Sequence, residues 1–416
     1  MKAVFAHDHK LIRAKDGTRV FSHGNLPYSV LTRYLKHVDE LLVVGRLGGS
    51  ADCESLTAAS GPGVGFRLLP GLLTPRSFLG GHRRIHRELE SIVKDTDAVV
   101  ARVPSVMGRM AAKIARRLGK PFALEVVGCA WGGWWNHGSL SGKLYAPLAF
   151  LETREIVSLS ERTLYVTEHF LQRRYPCASV GIACSDVELA AAGADVMERR
   201  MRRLSAVRQG PFRLGLIGSL STATKGFAVV LKALAMLRRA GTPELVLDIL
   251  GGGDATQWRC LGADLGVSQQ VRFRGTVPSG QPVFDWLDSV DLYIQPSFQE
   301  GLPRSLVEAM SRGCPALGST AGGIPELLAG DCLHKPGDAK TLSRQIEHAV
   351  QSADWRVGQA VRNFEVAERY ERARLDAIRD EFWGEFFLSA KAGCGRPLQK
   401  GQEMLPGLTS LTTSVQ

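Results

Sequence analysis

Short apolar runs alternate with longer amphipathic stretches along most of the chain. In the first half, the runs at 2–6, 41–45, 65–69, 98–103, 122–127 and 163–167 predict strands. Helical patterns lie between several of them, such as the Ala/Arg/Met periodicity over 105–118. Near 181–211 the alternation lapses. Gly181-Ile182-Ala183-Cys184-Ser185-Asp186 reads as a strand end leaving a domain, and an Ala- and Arg-rich stretch without a core strand follows. The alternation then restarts, with strands predicted at 212–217, 245–250, 271–275, 291–295 and 315–318 and helices at 225–239, 256–265, 303–312 and 339–350. A charged helical stretch with aromatics at Phe364, Tyr370, Phe382, Trp383 and Phe386 comes last. Such alternation predicts parallel sheets covered on both faces. The fold class is α/β: two doubly wound, Rossmann-like domains facing a central cleft, where ligands bind in such sheets.

The predicted boundaries are 1–185 for the N-terminal domain, 186–211 for the interdomain connection and 212–363 for the C-terminal domain. A closing helix spans 364–390, and a Gly-, Ser-, Thr- and Gln-rich tail over 391–416 is predicted to be disordered. The length of 416 residues suits two domains, since single cores seldom grow that large. The 45 glycines suit tight strand-to-helix loops.

Charge changes the picture. The net charge is +11, and residues 1–180 hold 25 Lys+Arg against 15 Asp+Glu, so +10 of it falls there. Any single cluster, such as Arg83-Arg84 with Arg87, is a solvated surface. A whole basic half predicts an acidic partner such as an anionic membrane surface or a phosphate-bearing lipid. No nucleic-acid-binding motif is recognisable, which argues against nucleic acid. The eight cysteines form no C-x-x-C pair, so neither a zinc site nor a thioredoxin-type site is indicated, and scattered thiols read as cytoplasmic. The N-terminal apolar run is cut off by Asp8 and Lys10, as a first strand would be and a secretory segment would not. No apolar run reaches transmembrane length. The expected location is the cytoplasm, with peripheral attachment to the inner face of the cell membrane.

Three segments of the second half carry candidate chemistry. The strand 212–217 enters a turn through Gly218, Ser219 and Leu220 and reaches Lys225-Gly226 at a helix start. Free N–H groups, the positive end of a helix and a lysine together outline a diphosphate site; a plain strand–loop–helix unit with a solvated lysine fits equally well. Leu250-Gly251-Gly252-Gly253-Asp254 ends another strand, and its glycines allow either close approach to a ligand or a tight turn. The third segment, Gln295 to Met310, ends a strand, carries Glu300 in a polar loop and starts a helix at Pro303, with Glu308 within that helix. Glu300 before the helix suits sugar hydroxyls, and Glu308 suits the two hydroxyls of a ribose. Taken alone, Glu308 reads more readily as an i±4 partner of Arg304 or Arg312.

The run Glu300-Gly301-Leu302-Pro303-Arg304…Glu308-Ala309-Met310…Gly313-Cys314-Pro315…Gly322-Gly323-Ile324-Pro325-Glu326 resembles the E-x7-E donor-site signature of the retaining GT-B glycosyltransferases of family GT4. The resemblance is specific over 290–328 and extends to Lys225-Gly226 and to the general layout of the chain. It implies the GT-B fold, an N-terminal acceptor domain, a C-terminal nucleotide-sugar domain and a last helix that crosses back to the N-terminal domain. It implies that Lys225 contacts the donor diphosphate, Glu300 the donor sugar and Glu308 the ribose, while Gly301, Leu302 and Pro303 supply backbone N–H groups. Gly218, Ser219 and Gly253 border the same donor. One departure stands out: the family often pairs this lysine with an arginine, and here that position is Ser219.

The N-terminal half is less legible. Three tryptophans, Trp131, Trp134 and Trp135, fall in one loop after a strand, either to stack on sugars or to fill a local core. By the same resemblance, His137 is a candidate for contact with the donor sugar, and the segment from Phe21 to Tyr28, with Gly24, borders the phosphate and acceptor. No Asp-x-Asp metal motif is present, so neither metal nor other cofactor is expected. The predicted function is retaining transfer of a sugar from a UDP- or GDP-linked donor to a glycan or lipid-linked acceptor, in cell-surface polysaccharide biosynthesis. The alternatives are a nucleotide-sugar 2-epimerase-type enzyme on the same fold and a non-catalytic sugar-nucleotide-binding accessory protein. Ser219 favours the latter.

Overall fold

The computed structural model describes residues 1–22, 26–51, 56–70, 82–136, 138–187, 189–207, 210–242 and 244–393. The strands of the first half are β1 (Lys2–Ala14), β2 (Val20–Ser22), β3 (Glu40–Ala51), β4 (Thr57–Ala58), β5 (Val64–Leu69), β6 (Ala98–Val103), β7 (Phe122–Val126), β8 (Arg162–Tyr165) and β9 (Val180–Ala183). Those of the second half are β10 (Phe212–Ile217), β11 (Leu245–Leu250), β12 (Val271–Phe273), β13 (Leu292–Gln295), β14 (Ala316–Ser319) and β15 (Leu333–His334). The helices of the first half are α1 (Tyr28–Leu35), α2 (His82–Lys94), α3 (Val106–Arg117), α4 (Ala130–Trp135), α5 (Leu140–Ser158), α6 (Phe170–Arg174) and α7 (Ala194–Ser205). The rest are α8 (Phe227–Arg239), α9 (Thr256–Asp264), α10 (Gln281–Asp288), α11 (Arg304–Ser311), α12 (Ile324–Leu327), α13 (Ala339–Gln351), α14 (Ala353–Ala367) and α15 (Arg372–Gly393).

The strands form two sheets. The first runs β5-β3-β1-β6-β7-β8-β9, all parallel, with β2 antiparallel on the far end of β1 and β4 antiparallel on β2. The second runs β12-β11-β10-β13-β14-β15, also parallel. In each, the first strand lies inside the sheet, and the chain winds outward to one side before crossing to the other. The crevice at that switch, beyond the strands' carboxyl ends, is the place where open α/β sheets hold ligands. Every residue of β6, β7, β11 and β13 is buried, as strands covered by helices on both faces require.

The last helices tie the halves together. Trp383 of α15 is fully buried and packs edge-on against Tyr34 of α1 with ring centroids 5.1 Å apart. Tyr34 donates to Glu125 at 2.6 Å, and Glu125 in turn takes a 2.7 Å ion pair from Arg102. Burial is the largest single influence on Glu125 and opposes its ionisation, but the charges of Arg102 and Arg33 and the bonds from Tyr34 and Arg102 together hold the carboxyl below its ordinary range.

Four sequence expectations change. The first strand runs to Ala14 rather than ending at residue 6, because Asp8 is not a solvated stop. Its carboxylate accepts the Val106 and Met107 N–H groups at 2.7 and 3.1 Å, capping α3. The tryptophan loop is a short helix, α4. The stretch 186–211 holds α7, whose Arg200 guanidinium is buried and donates to the carbonyls of Arg312, Val290 and Leu287 at 2.9, 2.7 and 3.0 Å. The helical run expected over 364–388 is interrupted at Glu368–Tyr370, where Leu189 bridges to Glu371 and accepts from the Arg372 N–H. The tail lies, from residue 394 on, outside the described residues.

Candidate functional site

Three strand-end loops of the second sheet stack at its switch point. The loop after β10 closes with Gly226, whose φ of +76° a side chain rarely adopts and where a Cβ would fall 2.1 Å from the Pro296 carbonyl oxygen. That close approach brings the loop after β13 against it, and the Phe298 N–H donates to the Thr224 carbonyl at 2.8 Å. The loop after β14 presses from the other side. Gly322, at φ +61°, leaves room for the Glu300 carbonyl, which a Cβ would meet at 2.3 Å. The Gly323 N–H donates to Gly301 at 2.7 Å.

This stacking places Lys225 Nζ 2.6 Å from Glu300 Oε1. The same oxygen accepts from Ser297 Oγ at 2.7 Å and Gln295 Nε2 at 2.9 Å. Gln295 is itself held by the Tyr293 hydroxyl at 2.9 Å and the Ser305 hydroxyl at 3.2 Å. Burial pushes the Tyr293 phenol up, so it stays a neutral donor. One oxygen of Glu300 thus takes three bonds. The other has no hydrogen-bond partner among the described residues.

A cavity of about 480 Å³ opens over this network. Gly218, Lys225, Glu300, Gly301, Leu302, Pro303 and Glu308 all line it, so seven residues picked from the sequence converge. Glu308 makes no ion pair among the described residues. Arg312 pairs instead with Asp288 at 2.8 and 2.5 Å, while Arg304 acts on Glu308 only through its field. Burial pushes the Glu308 carboxyl above its ordinary range, with Arg304 opposing.

The remaining picks fall elsewhere. Ser219 is exposed, its Oγ accepting the Ser221 N–H at 3.4 Å, and it is not among the residues lining the cavity. Nor is Gly253, which sits against Ser221. His137 and Gly24 lie outside the described residues.

Sequence reading missed Arg304, Ser305, Asp186, Val127 and Val166 on the lining, and Gln295 and Ser297 beneath it. A signal existed for Gln295: a polar residue closing an otherwise apolar, fully buried strand needs partners. The first-half residues had none, because tertiary packing alone brings them there. Val127 and Val166 form the opposite wall, and a Cβ on Gly301 would meet the Val127 carbonyl at 2.5 Å. With its amide oriented to satisfy both neighbours, Gln299 bridges to α4, donating to the Gly132 carbonyl at 2.7 Å and accepting the Gly133 N–H at 3.1 Å. The Glu326 carboxylate accepts the N–H groups of Glu168, His169 and Phe170 at 2.6, 3.1 and 2.6 Å. The cavity therefore lies between the two sheets' domains, with direct contacts across the cleft on both sides of it.

Two doubly wound α/β domains meeting over a cleft at the second sheet's switch point make this a GT-B glycosyltransferase fold. Solved structures agree. Sucrose-phosphate synthase from Thermosynechococcus elongatus superposes with a TM-score of 0.67 at 14% identity, covering 93% of this chain and 99% of that one. Anabaena HepE in complex with UDP-glucose superposes with a TM-score of 0.60 at 15% identity, over 92% and 98%. Residues 211–352 match the family described as "Glycosyl transferases group 1". Protein CapJ of Staphylococcus aureus is 29% identical over 383 residues, 92% of this chain and 94% of CapJ. The similarity to the group 1 glycosyl transferases lies in the C-terminal domain, over residues 211–352.

Proposed function

We propose that this protein moves a sugar, with retention of anomeric configuration, from a UDP- or GDP-linked donor to a glycan or lipid-linked acceptor in the GT4 manner. The observation that carries the reading is the convergence of Lys225, Glu300 and Glu308 on one cavity roofed by the start of α11. The E-x7-E spacing spans that start, with Glu300 before it and Glu308 just over one turn inside. The UDP-glucose bound by the structurally similar HepE supports a nucleotide-sugar donor.

In this reading the donor lies across the mouth of α11. Its diphosphate takes Lys225 and the N–H groups of Gly301, Leu302 and the α11 start, where the helix dipole favours negative charge. Arg304 at the first helical position supplies the second cation that Ser219 does not. Glu308 accepts the ribose hydroxyls, and the unused oxygen of Glu300 accepts sugar hydroxyls. The bond from the anomeric carbon to the phosphate oxygen breaks, with its electron pair passing to the diphosphate. Lys225, Arg304 and the aligned N–H groups stabilise that developing charge. The acceptor hydroxyl attacks from the same face, and its proton passes to the departing phosphate oxygen.

The test is a thermal-shift panel of nucleotide-sugars, since a ligand of the native state raises its stability. Proton NMR of the product formed with an acceptor then reads the anomeric configuration. Stabilisation by UDP- or GDP-sugars and an unchanged configuration are expected. Stabilisation by none of them overturns the donor assignment, and inversion overturns the retaining mechanism. A new free nucleotide-sugar formed without acceptor indicates epimerisation instead.

A further inference from the structure

Helix α5 is built the wrong way round for a surface helix. The face it packs onto its domain is made of small residues, Gly142, Ala146, Ala149 and Thr153, together with Ile156 and Val157. Its leucines point outward: Leu140 and Leu144 are each 76% exposed, Leu148 is 52% and Leu151 60%. At about 100° per residue these four fall within an arc of roughly 80°, continuous along most of the helix. An amphipathic surface helix buries its leucines and exposes its charges. Here two opposite faces are apolar, and only one is covered.

One border of the leucine face carries positive charge; the other holds Glu152, and Glu155 stands exposed within the arc beyond the last leucine, both carboxylates paired with Lys113 of α3 at 3.1 and 4.0 Å. Lys143 and Arg154 are exposed on α5 along one edge of the arc, and Arg116 is exposed on the neighbouring α3. At the N-terminal end of the ridge stands Trp135, 43% exposed, stacked on Trp131 at 5.4 Å and lying under Lys143 Nζ at 5.9 Å. An apolar ridge, a cationic margin and an aromatic ring at its end match the recognition chemistry of a lipid–water interface. Among the described residues, no helix is long and apolar enough to cross a membrane. A helix of 19 residues, about 28 Å long, can instead lie in the plane of the surface.

We propose that the leucine ridge of α5 seats this protein on an anionic phospholipid bilayer, with Lys143, Arg154 and Arg116 meeting lipid phosphates. The ridge starts beside the cleft, since α4 touches Gln299 through Gly132 and Gly133. The bilayer surface therefore reaches the mouth of the candidate donor site. Resting on the transferase reading above, this assigns the acceptor to lipid-linked glycans held in that bilayer.

The test is co-sedimentation of the full chain with two kinds of vesicle, phosphatidylcholine alone and an equal mixture of phosphatidylcholine and phosphatidylglycerol. The wild type pellets with the mixed vesicles and stays in the supernatant with phosphatidylcholine alone. L144E/L148E loses binding by about tenfold or more, because two leucines that would enter the bilayer are exchanged for charge next to anionic lipid. K143A/R154A weakens binding and flattens its salt dependence. Both pairs lie on exposed positions, so melting temperature and stabilisation by UDP-sugars stay at wild-type values. That separates failure of the docking surface from failure of the donor site. The proposal falls if the wild type ignores mixed vesicles or if L144E/L148E pellets undiminished. It also falls if the wild type is a dimer that L144E/L148E makes monomeric, which would assign the ridge to a second copy of the chain.

Discussion

Lys225 Nζ and Glu300 Oε1, which lie 75 positions apart in the chain, stand 2.6 Å from each other at the floor of the cleft. The pair neutralises a lysine that would otherwise repel nothing and attract any passing anion. It also leaves that lysine on the cavity wall, where the diphosphate of the proposed donor would compete for it. Glu300, only 9% exposed on its side chain, also accepts from Ser297 and Gln295, so in the proposed donor complex it keeps two donors when the lysine pairs with phosphate.

Replacing the two partners is expected to give different defects. Lys225→Ala weakens donor binding and lowers kcat by about a hundredfold, since it removes a preorganised charge from the leaving group. Glu300→Gln is expected to lower kcat by a similar factor while changing donor affinity less. Isothermal titration with donor and initial rates at saturating donor separate them. A Glu300→Gln enzyme with wild-type kcat would refute a role for this carboxylate at the sugar.

Arg304→Ala is expected to weaken nucleoside diphosphate binding by about tenfold, a loss of about 1.4 kcal/mol. Binding of the nucleoside alone stays unchanged. Equal losses for both ligands would show that Arg304 does not act on phosphate.

Glu326→Ala removes the acceptor for three successive N–H groups at Glu168, His169 and Phe170. Water reaches these amides, so the cost in stability is small, up to about 1 kcal/mol. Hydrogen exchange at 168–170 is expected to speed up and kcat/KM to fall, because one strap across the cleft is gone. Unaltered exchange there would count against Glu326 as a cross-domain contact.

Trp383→Ala is expected to destabilise the protein by about 3–5 kcal/mol, the usual range for emptying a buried tryptophan site. Trp383→Phe costs less, because the buried indole N–H has no hydrogen-bond partner to lose. Denaturant unfolding of both variants checks the order.

Burial pushes His334 down to about 4, with the bond to Gln345 opposing. The unfolded chain takes up that proton below about pH 6.5 and the folded one does not until about pH 4. His334 therefore contributes stability above pH 6.5 that is lost as pH falls toward 4, up to about 3 kcal/mol. Denaturation midpoints of wild type and His334→Gln across this window test it. The variant is expected to show a shallower fall with acid, and parallel curves would exclude His334 as the source.

Much of the second half could be read from local pattern. The strands at 212–217 and 245–250 match the predicted limits, because parallel strands covered on both faces leave near-continuous apolar runs. The first half was harder. β1 hides its continuation behind Asp8, which reads as a strand end until α3 arrives to be capped. The short strands β2 and β4, of three and two residues, are too brief for periodicity to register.

What the sequence determined alone was the α/β alternation, the twofold division and the residue types after two strand ends: Lys225 and Glu300 are local features of loops with glycines beside them, and Glu308 of the helix that follows. Tertiary structure alone decided which oxygen of Glu300 meets the lysine, that Glu308 makes no ion pair among the described residues while Arg312 turns to Asp288, and that Val127 and Val166 line the cavity. It also decided that the leucines of α5 face outward. Strand and loop signals arise from neighbours along the chain, within reach of backbone propensity and hydrophobic period. Which loops touch, and which face of a helix is left uncovered, depends on packing between elements distant in the chain.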